Sequence, residues 1–527
     1  MVIEVYQVIA LNSNNTSASE AKLSTFDSFD VPEPEFHGST GNRIINFQAL
    51  MGIISILCCP ECYATGLKLA EDSKEGLCSN LCVACSCGFM TGFTSTPKEN
   101  KKFSFNTLLV FGLRLIGRGF TAGKKLLCTL NLPCISKNTF RAHELKLLEA
   151  VQLCSEENMK AASKEVQNFK KSTICGVSVD GTSHGCVSVI SIDTGKILDL
   201  EVMTQYCKMC ELNVKCEHVC SNYKRSSGNM EALGAFRIFE KSLIKRDLQY
   251  TEYYCDGDSK SFLQVKDKYG ENSVTKLVCI GHIQKRVGSR LRKLKKNTKG
   301  LGGKGKLTDK FIDKLQNYYG IVLRSNVGCL EKMQSAVIAA FFHCCSSNQN
   351  PMHGQCATRK DSCCKYKQAL CDGKVYVGKT AGLSNSVIKV IKPTYLALCD
   401  KGLLKKYLHG KTQNNNESFN NVLWSVLPKE IFVHKKTLFL GSYMAVILYN
   451  SGYLGLLPVF NYLGIGIDPT TLKNYMGIDT ERIQKSKRQS LPSTKLSRKK
   501  TKSQKKKKSK LARNEAKEGL SYKYGEF

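Results

Sequence analysis

Between residues 171 and 299 the hydrophobic period of this chain switches repeatedly, and that switching restricts its architecture more than any other feature. "STICGVSVD", "CVSVISID" and "KILDLEVMT" are three short β-rich runs joined by "GTSHG" and "TGK", the pattern of an antiparallel meander. "NMEALGAFRIFEKSLIKRD" then sets Leu233, Phe236, Phe239 and Leu243 at helical spacing. After it come "YTEYYCD" as a strand, "SKSFLQVKDKY" as a helix, "VTKLVCIGH" as a strand and "IQKRVGSRLRKLKKN" as a basic helix.

The order β-β-β-α-β-α-β-α is that of an α/β, ribonuclease-H-like mixed sheet, in which the first and fourth strands are neighbours. Around this first part of the core (171–299) the composition divides the chain further. Residues 1–40 read as a flexible leader, 41–95 as a zinc-ribbon-like module and 96–170 as a helical region. A mostly helical insertion follows over 300–410, then a core helix and its successors over 411–470, and a basic disordered tail over 471–527.

Two strand ends carry acids. Asp180 closes the first strand in "VSVDGT" and Asp256 the fourth in "YYCDGDSK", with Asp258 as the competing acid at the second position. Asp-Gly after a strand is also ordinary turn chemistry. Adjacent strand ends, however, would bring both carboxylates together. A third acid from a later helix would then complete a cage of hard oxygen ligands for two Mg²⁺ (or Mn²⁺) ions about 3.5–4 Å apart, the arrangement used in phosphoryl transfer.

"HGKTQNNNESFNNVLW" supplies that acid as Glu417. Asn414 three residues before it makes a capping-box pattern. Phe419, Val422, Leu423 and Val426 form a helical apolar stripe, which leaves Glu417 and Asn421 on the opposite side.

The chain has 26 cysteines, and nothing at its start reads as a secretory signal: Glu4 stands where a basic segment should be, before a short apolar run. Thiols in a reducing compartment are better metal ligands than disulfide partners. "YCKMCELNVKCEHVC" offers Cys207, Cys210, His218 and Cys220 as a tetrahedral Zn²⁺ set. "CCPEC" and "CVACSCG" offer Cys59, Cys62, Cys85 and Cys87, with Cys82 as the alternative to one of them. A third set is His343, His353, Cys356 and Cys364. Cys279 and His282 in "CIGH" read as core residues rather than ligands.

The formal net charge is +34, and Arg482–Arg513 alone carries fifteen basic residues and no acid. Such a balance calls for a polyanionic partner, nucleic acid before a membrane surface. The apolar stretch "YMAVILYNSGYLGLLPVFNYLGIGI" is broken by Asn and Pro and reads as packed core helices, so no membrane partner is expected. Lys285, Arg286, Arg290 and Arg292 would follow phosphates without reading sequence. The tail run "KKKKSK" fits nuclear import.

These segments resemble arthropod proteins that carry a Mutator-like transposase domain. The resemblance runs from about "GNRIINFQAL" to "EGLSYKYGEF" and includes "VSVDGT", "NYKRSSGNMEALGA", "YCDGDSK", "CIGHIQKR", "PMHGQC" and "HGKTQNNNESFNNVLW". It implies a DDE-type nuclease core interrupted by a helical insertion, acting on element ends and target DNA by metal-dependent strand cleavage and strand transfer. Asp180, Asp256 and Glu417 fall at its acid positions, with Asn420 and Asn421 orienting the acid or touching DNA. Two departures stand out. Only "SHGC" follows the first Asp-Gly-Thr, where members have a longer segment containing "WQKRG". Cys363 replaces a tryptophan in "SCC". The alternative reading is a non-catalytic, zinc-dependent DNA-binding protein that keeps the scaffold. Homo-oligomerisation is open at this level.

Overall fold

The computed structural model describes residues 18–23 and 41–504, except 100–101, 183, 205–222, 224–225, 256–259, 304, 359, 361, 363, 377–381, 412, 499–500 and 502–503. Asp256, Asp258, Cys207, Cys210, His218 and Cys220 therefore lie outside the described residues, as does the run "KKKKSK".

After the helices Ala18–Leu23 and Phe47–Ser55 comes a three-stranded antiparallel sheet: β1 (Lys68–Glu75), β2 (Cys78–Ala84) and β3 (Met90–Thr94). A short hairpin, β4 (Lys98–Glu99) and β5 (Lys102–Phe103), follows. The central sheet has five strands: β6 (Ile174–Gly181), β7 (Cys186–Ser191), β8 (Ile197–Val202), β9 (Gln249–Cys255) and β10 (Thr275–Val278). Their spatial order is β10-β9-β6-β7-β8. The first three strands pair antiparallel, while β9 lies parallel to β6 and β10 parallel to β9. Ser178 stands opposite Tyr254, so β6 and β9 end side by side. This is a mixed α/β architecture.

Strand β7 is buried at every position, because helices cover both faces of the sheet. Ile190, Ile197 and Leu200 face one core, shared with the helices Lys137–Lys170 and Lys435–Ser451. Val177, Val179, Val187 and Val189 face the other, under the helix Ser227–Arg246. Of the stripe expected from its large residues, that helix buries Phe239 and packs Leu233 against the same core, but not the other two. Leu243 is 46% exposed and Phe236 only partly buried. The face on the sheet also includes Met230, Gly234, Ala235 and Ile238, because the backbones approach closely: a Cβ on Gly234 would sit 2.6 Å from Val187 Cγ2. At the helix end Arg246, with a fully buried side chain, bonds Asp199 at 3.0 Å and Glu156 at 2.8 Å. Helix, sheet and the long helix are thereby joined by one charged group.

Helices Asp309–Ser325, Leu330–Cys345, Asn385–Leu396 and Lys401–Lys405 pack into a separate apolar core with Ile283, Val287 and Leu291 of the basic helix Ile280–Asn297, and the short helix Lys365–Cys371 lies outside it with no buried residue. The helix Lys435–Ser451 is buried from Leu440 through Ser451 without a break. No helix among the described residues is long and apolar enough to cross a membrane.

Two segments depart from the expected flexible ends. Residues 471–490 are not a disordered tail: a helix spans Pro469–Ser490. Charged anchors hold it where composition shows no apolar stripe. Asp479 accepts from the amides of Tyr453 and Leu454 at 2.9 and 3.0 Å, and Arg482 donates to the carbonyls of Leu448 and Tyr449. In the leader, the short helix Ala18–Leu23 docks with Lys22 buried, its ammonium 3.6 Å above the Tyr449 ring. Burial lowers this lysine to about 7, and the neighbouring cations Arg482 and Lys196 push the same way.

Candidate functional site

Asp180 lies next to last on β6, half-buried, where the sheet meets the helix Asn414–Val426. That helix packs through Phe419, Leu423 and Val426, as its apolar spacing requires. The capping box is not formed. Gln413 occupies the cap position without a side-chain bond, and Asn414 is already the first helical residue. Glu417 is exposed one turn into the helix. One further turn on, Asn420 donates its side-chain N–H to Asp180 Oδ2 at 2.9 Å. Asn421 is exposed and makes no such bond among those observed.

An open cleft of about 610 Å³ begins at Asp180. Gln413, at the start of the Glu417 helix, borders it, whereas Glu417 itself does not line it. The far wall is the basic helix, with His282, Lys285 and Arg286 turned inward. His282 is thus a cleft residue, not the core residue expected, while Cys279 is buried. Arg290 is exposed outside the cleft, and Arg292 is ion-paired with Asp313 of the next helix. The cleft also holds an acid that the sequence did not single out, Glu231. A lone carboxylate in the second turn of a helix carries no local signal. Its place beside Asp180 is a product of the close helix–sheet approach.

The shortened segment after Asp180 forms a tight turn, with the Gly185 amide donating to Thr182 O at 3.0 Å. His184 is buried there and packs on Trp424 and Phe432, each at a ring separation of 4.9 Å. The turn therefore seats the far end of the Glu417 helix.

Two Cys/His groups come together. The ligand atoms of Cys59, Cys62, Cys85 and Cys87 all lie within 4.8 Å of one another, and so do those of His343, His353, Cys356 and Cys364. Cys59–Cys87 and Cys62–Cys85 are 3.6 Å apart. Thiolates at the corners of a tetrahedron with zinc–sulfur bonds of about 2.3 Å stand about 3.8 Å apart, so these two separations suit zinc. Cys82, the alternative ligand, lies within β2 and outside the group. Each group holds one lowered thiol, whereas in the first group Cys62 is raised by its bond to Cys85 and Cys87 by desolvation and the neighbouring thiols. The Cys87 amide pulls the Cys85 thiol down to about 6, and hydrogen bonds from Cys356 and His343 pull Cys364 down to about 3. Burial holds His353 below its ordinary value, which keeps its ring neutral and able to ligate.

A family model described as Mutator-like transposase matches residues 41–364, well over half of the chain. The matched range contains Asp180, the cleft's basic helix and every ligand of both metal groups, the last being Cys364 at its boundary. No curated protein and no solved structure is matched by the chain. From Cys59 to Cys364, then, the features described here are those of one domain type, and the chain belongs to the Mutator-like transposase family.

Proposed function

We propose that the chain is a DNA transposase of the DDE type, with Asp180, Asp256 and Glu417 as its acids and the five-stranded sheet as a ribonuclease-H-like core. The observation that carries this reading is the Asn420–Asp180 bond, which ties the strand-end acid to the helix bearing Glu417 beside an open cleft with a cationic wall. Asp256 follows Cys255, the last residue of β9, and β9 ends next to β6. Carboxylates of this kind are hard oxygen donors that suit Mg²⁺ or Mn²⁺. When bound, two such ions lower the pKa of an attacking hydroxyl and stabilise the leaving oxygen.

In this reading Asn420 holds Asp180 in one rotamer, and Lys285 and Arg286 fix the phosphate backbone along the cleft. Water attacks a phosphorus at the element end and loses a proton to solvent, the P–O3′ bond breaks to leave a 5′-phosphate, and the departing O3′ takes a proton from solvent to become a 3′-hydroxyl. That hydroxyl oxygen then attacks a target phosphorus in line, loses its proton, and displaces the target's own 3′-oxygen. The two Cys/His groups serve as structural zinc sites. The deciding experiment is a strand-transfer assay with Mg²⁺ or Mn²⁺ on the element's own end sequences. DNA binding with no joined product at any metal concentration would leave only the scaffold role, with the compact turn at Thr182–Gly185 as its structural basis.

Nuclear import and non-specific DNA capture are assigned to the basic tail on composition. Deleting residues 505–513 should move a fluorescently tagged chain toward the cytoplasm and flatten the salt dependence of DNA binding. An unchanged nuclear signal with an unchanged salt slope removes both roles.

A further inference from the structure

The helix Ser227–Arg246 begins directly over the end of β6, and its second turn places Glu231 across the residue that follows Asp180. A Cβ added to Gly181 would stand 2.9 Å from Cβ and Cγ of Glu231, so the glutamate stem lies against that backbone. Its carboxylate is held in a defined direction. Ser261 Oγ donates to Glu231 Oε1 at 2.9 Å, and the Tyr253 hydroxyl donates to Ser261 Oγ at 2.8 Å. Ser261 is 2% exposed and Tyr253 fully buried, so this relay is not a surface accident. Its members come from three elements. Tyr253 is on β9 and Ser261 opens the helix Lys260–Val265, so the two residues bracket the segment that contains Asp256.

The cleft gives this placement its meaning. Asp180 and Glu231 line it together, opposite His282, Lys285 and Arg286. A carboxylate whose only task was to favour the helix start would gain a few tenths to one kcal/mol from the dipole at any exposed position in the first turn. Such a task does not require a buried Tyr–Ser relay or a glycine cleared for its stem.

We propose that Glu231 is a fourth carboxylate of the catalytic centre, a ligand to the divalent cation shared with Asp180. This rests on the two-metal reading above and extends it to a residue outside the three acids. Ser261 holds one carboxylate oxygen of this cleft residue, and Gly181 is the residue that lets its stem approach.

The test uses the full chain and Mn²⁺ as the probe, with binding followed by electron paramagnetic resonance and cleavage followed against Mg²⁺ concentration. Glu231→Gln keeps an oxygen that accepts from Ser261 and removes only the charge. It should weaken Mn²⁺ binding by at least ~10-fold and raise the Mg²⁺ needed for half-maximal cleavage by a similar factor, with the metal-free melting temperature unchanged. Ser261→Ala, which releases the carboxylate without altering it, should shift both quantities in the same direction by less. It carries the test if the first variant does not fold. Values within twofold of the unaltered chain in both readouts overturn the proposal. Asp180→Asn separates the two levels. If it abolishes Mn²⁺ binding while Glu231→Gln does not, only the fourth ligand is wrong. If neither affects Mn²⁺ binding, the metal centre itself is wrong.

Discussion

Replacing Asp180 by Asn is expected to lower strand cleavage by at least about 10³-fold, roughly 4 kcal/mol of barrier. The amide is nearly isosteric and still offers an oxygen to the Asn420 N–H, so the helix carrying Glu417 should keep its seat on β6. Glu417→Gln should cause a loss of the same order. Glu417 is exposed, so the loss should come without a change in the melting temperature. Both variants are to be compared at saturating Mg²⁺ on short element ends, with thermal melts as the control. Cleavage that survives in Asp180→Asn would remove the strand end from the chemistry. Cleavage that survives only in Glu417→Gln would point to another acid as the third ligand.

The second large effect concerns Cys364. A structural zinc site contributes on the order of 10–16 kcal/mol to the folding of a small module. Cys364→Ser should therefore release close to one zinc per chain and open the segment between the helices Leu330–Cys345 and Lys365–Cys371 to protease. The helix Leu330–Cys345 should itself remain folded, because Val337, Phe341 and Cys344 are held by the apolar core and not by metal. Cys371→Ser is the matched control, being outside the ligand group. Elemental analysis showing the same zinc content in both variants would reduce the group to clustered thiols.

Much of the sheet was legible because its strands obey one strong rule, apolar runs bounded by turn residues, and the acid at the end of β6 came with them. The Phe419–Leu423–Val426 face was equally readable. What escaped depended on partners far away in the chain. The buried face of Ser227–Arg246 turns on Gly234, a small residue that only makes sense against Val187. The helix Pro469–Ser490 is fastened by Asp479 and Arg482 to backbone groups of residues 448–454, a form of attachment that composition cannot register. Glu231 belongs to the same class, because nothing near it in sequence marks it. The metal groups divide along similar lines. Cysteine spacing named both sets that converge, while convergence itself required the β2 strand and the turn at residues 346–356.

The contact between the basic helix and its neighbour Asp309–Ser325 has a mechanical consequence. A methyl group at Gly288 would overlap the Gln316 amide and the Arg292 guanidinium, and one at Gly320 would overlap the Gln284 amide. Two such seats, facing in opposite directions, interlock the pair of helices through a side chain from each. Lys285 and Arg286 on the first helix meet the cleft, while the second is embedded in the helical bundle. Nucleic acid bound at the cleft wall is therefore expected to be felt in the bundle through this interlock. Amide hydrogen exchange in Asp309–Ser325 would register occupation of a cleft that this helix never touches.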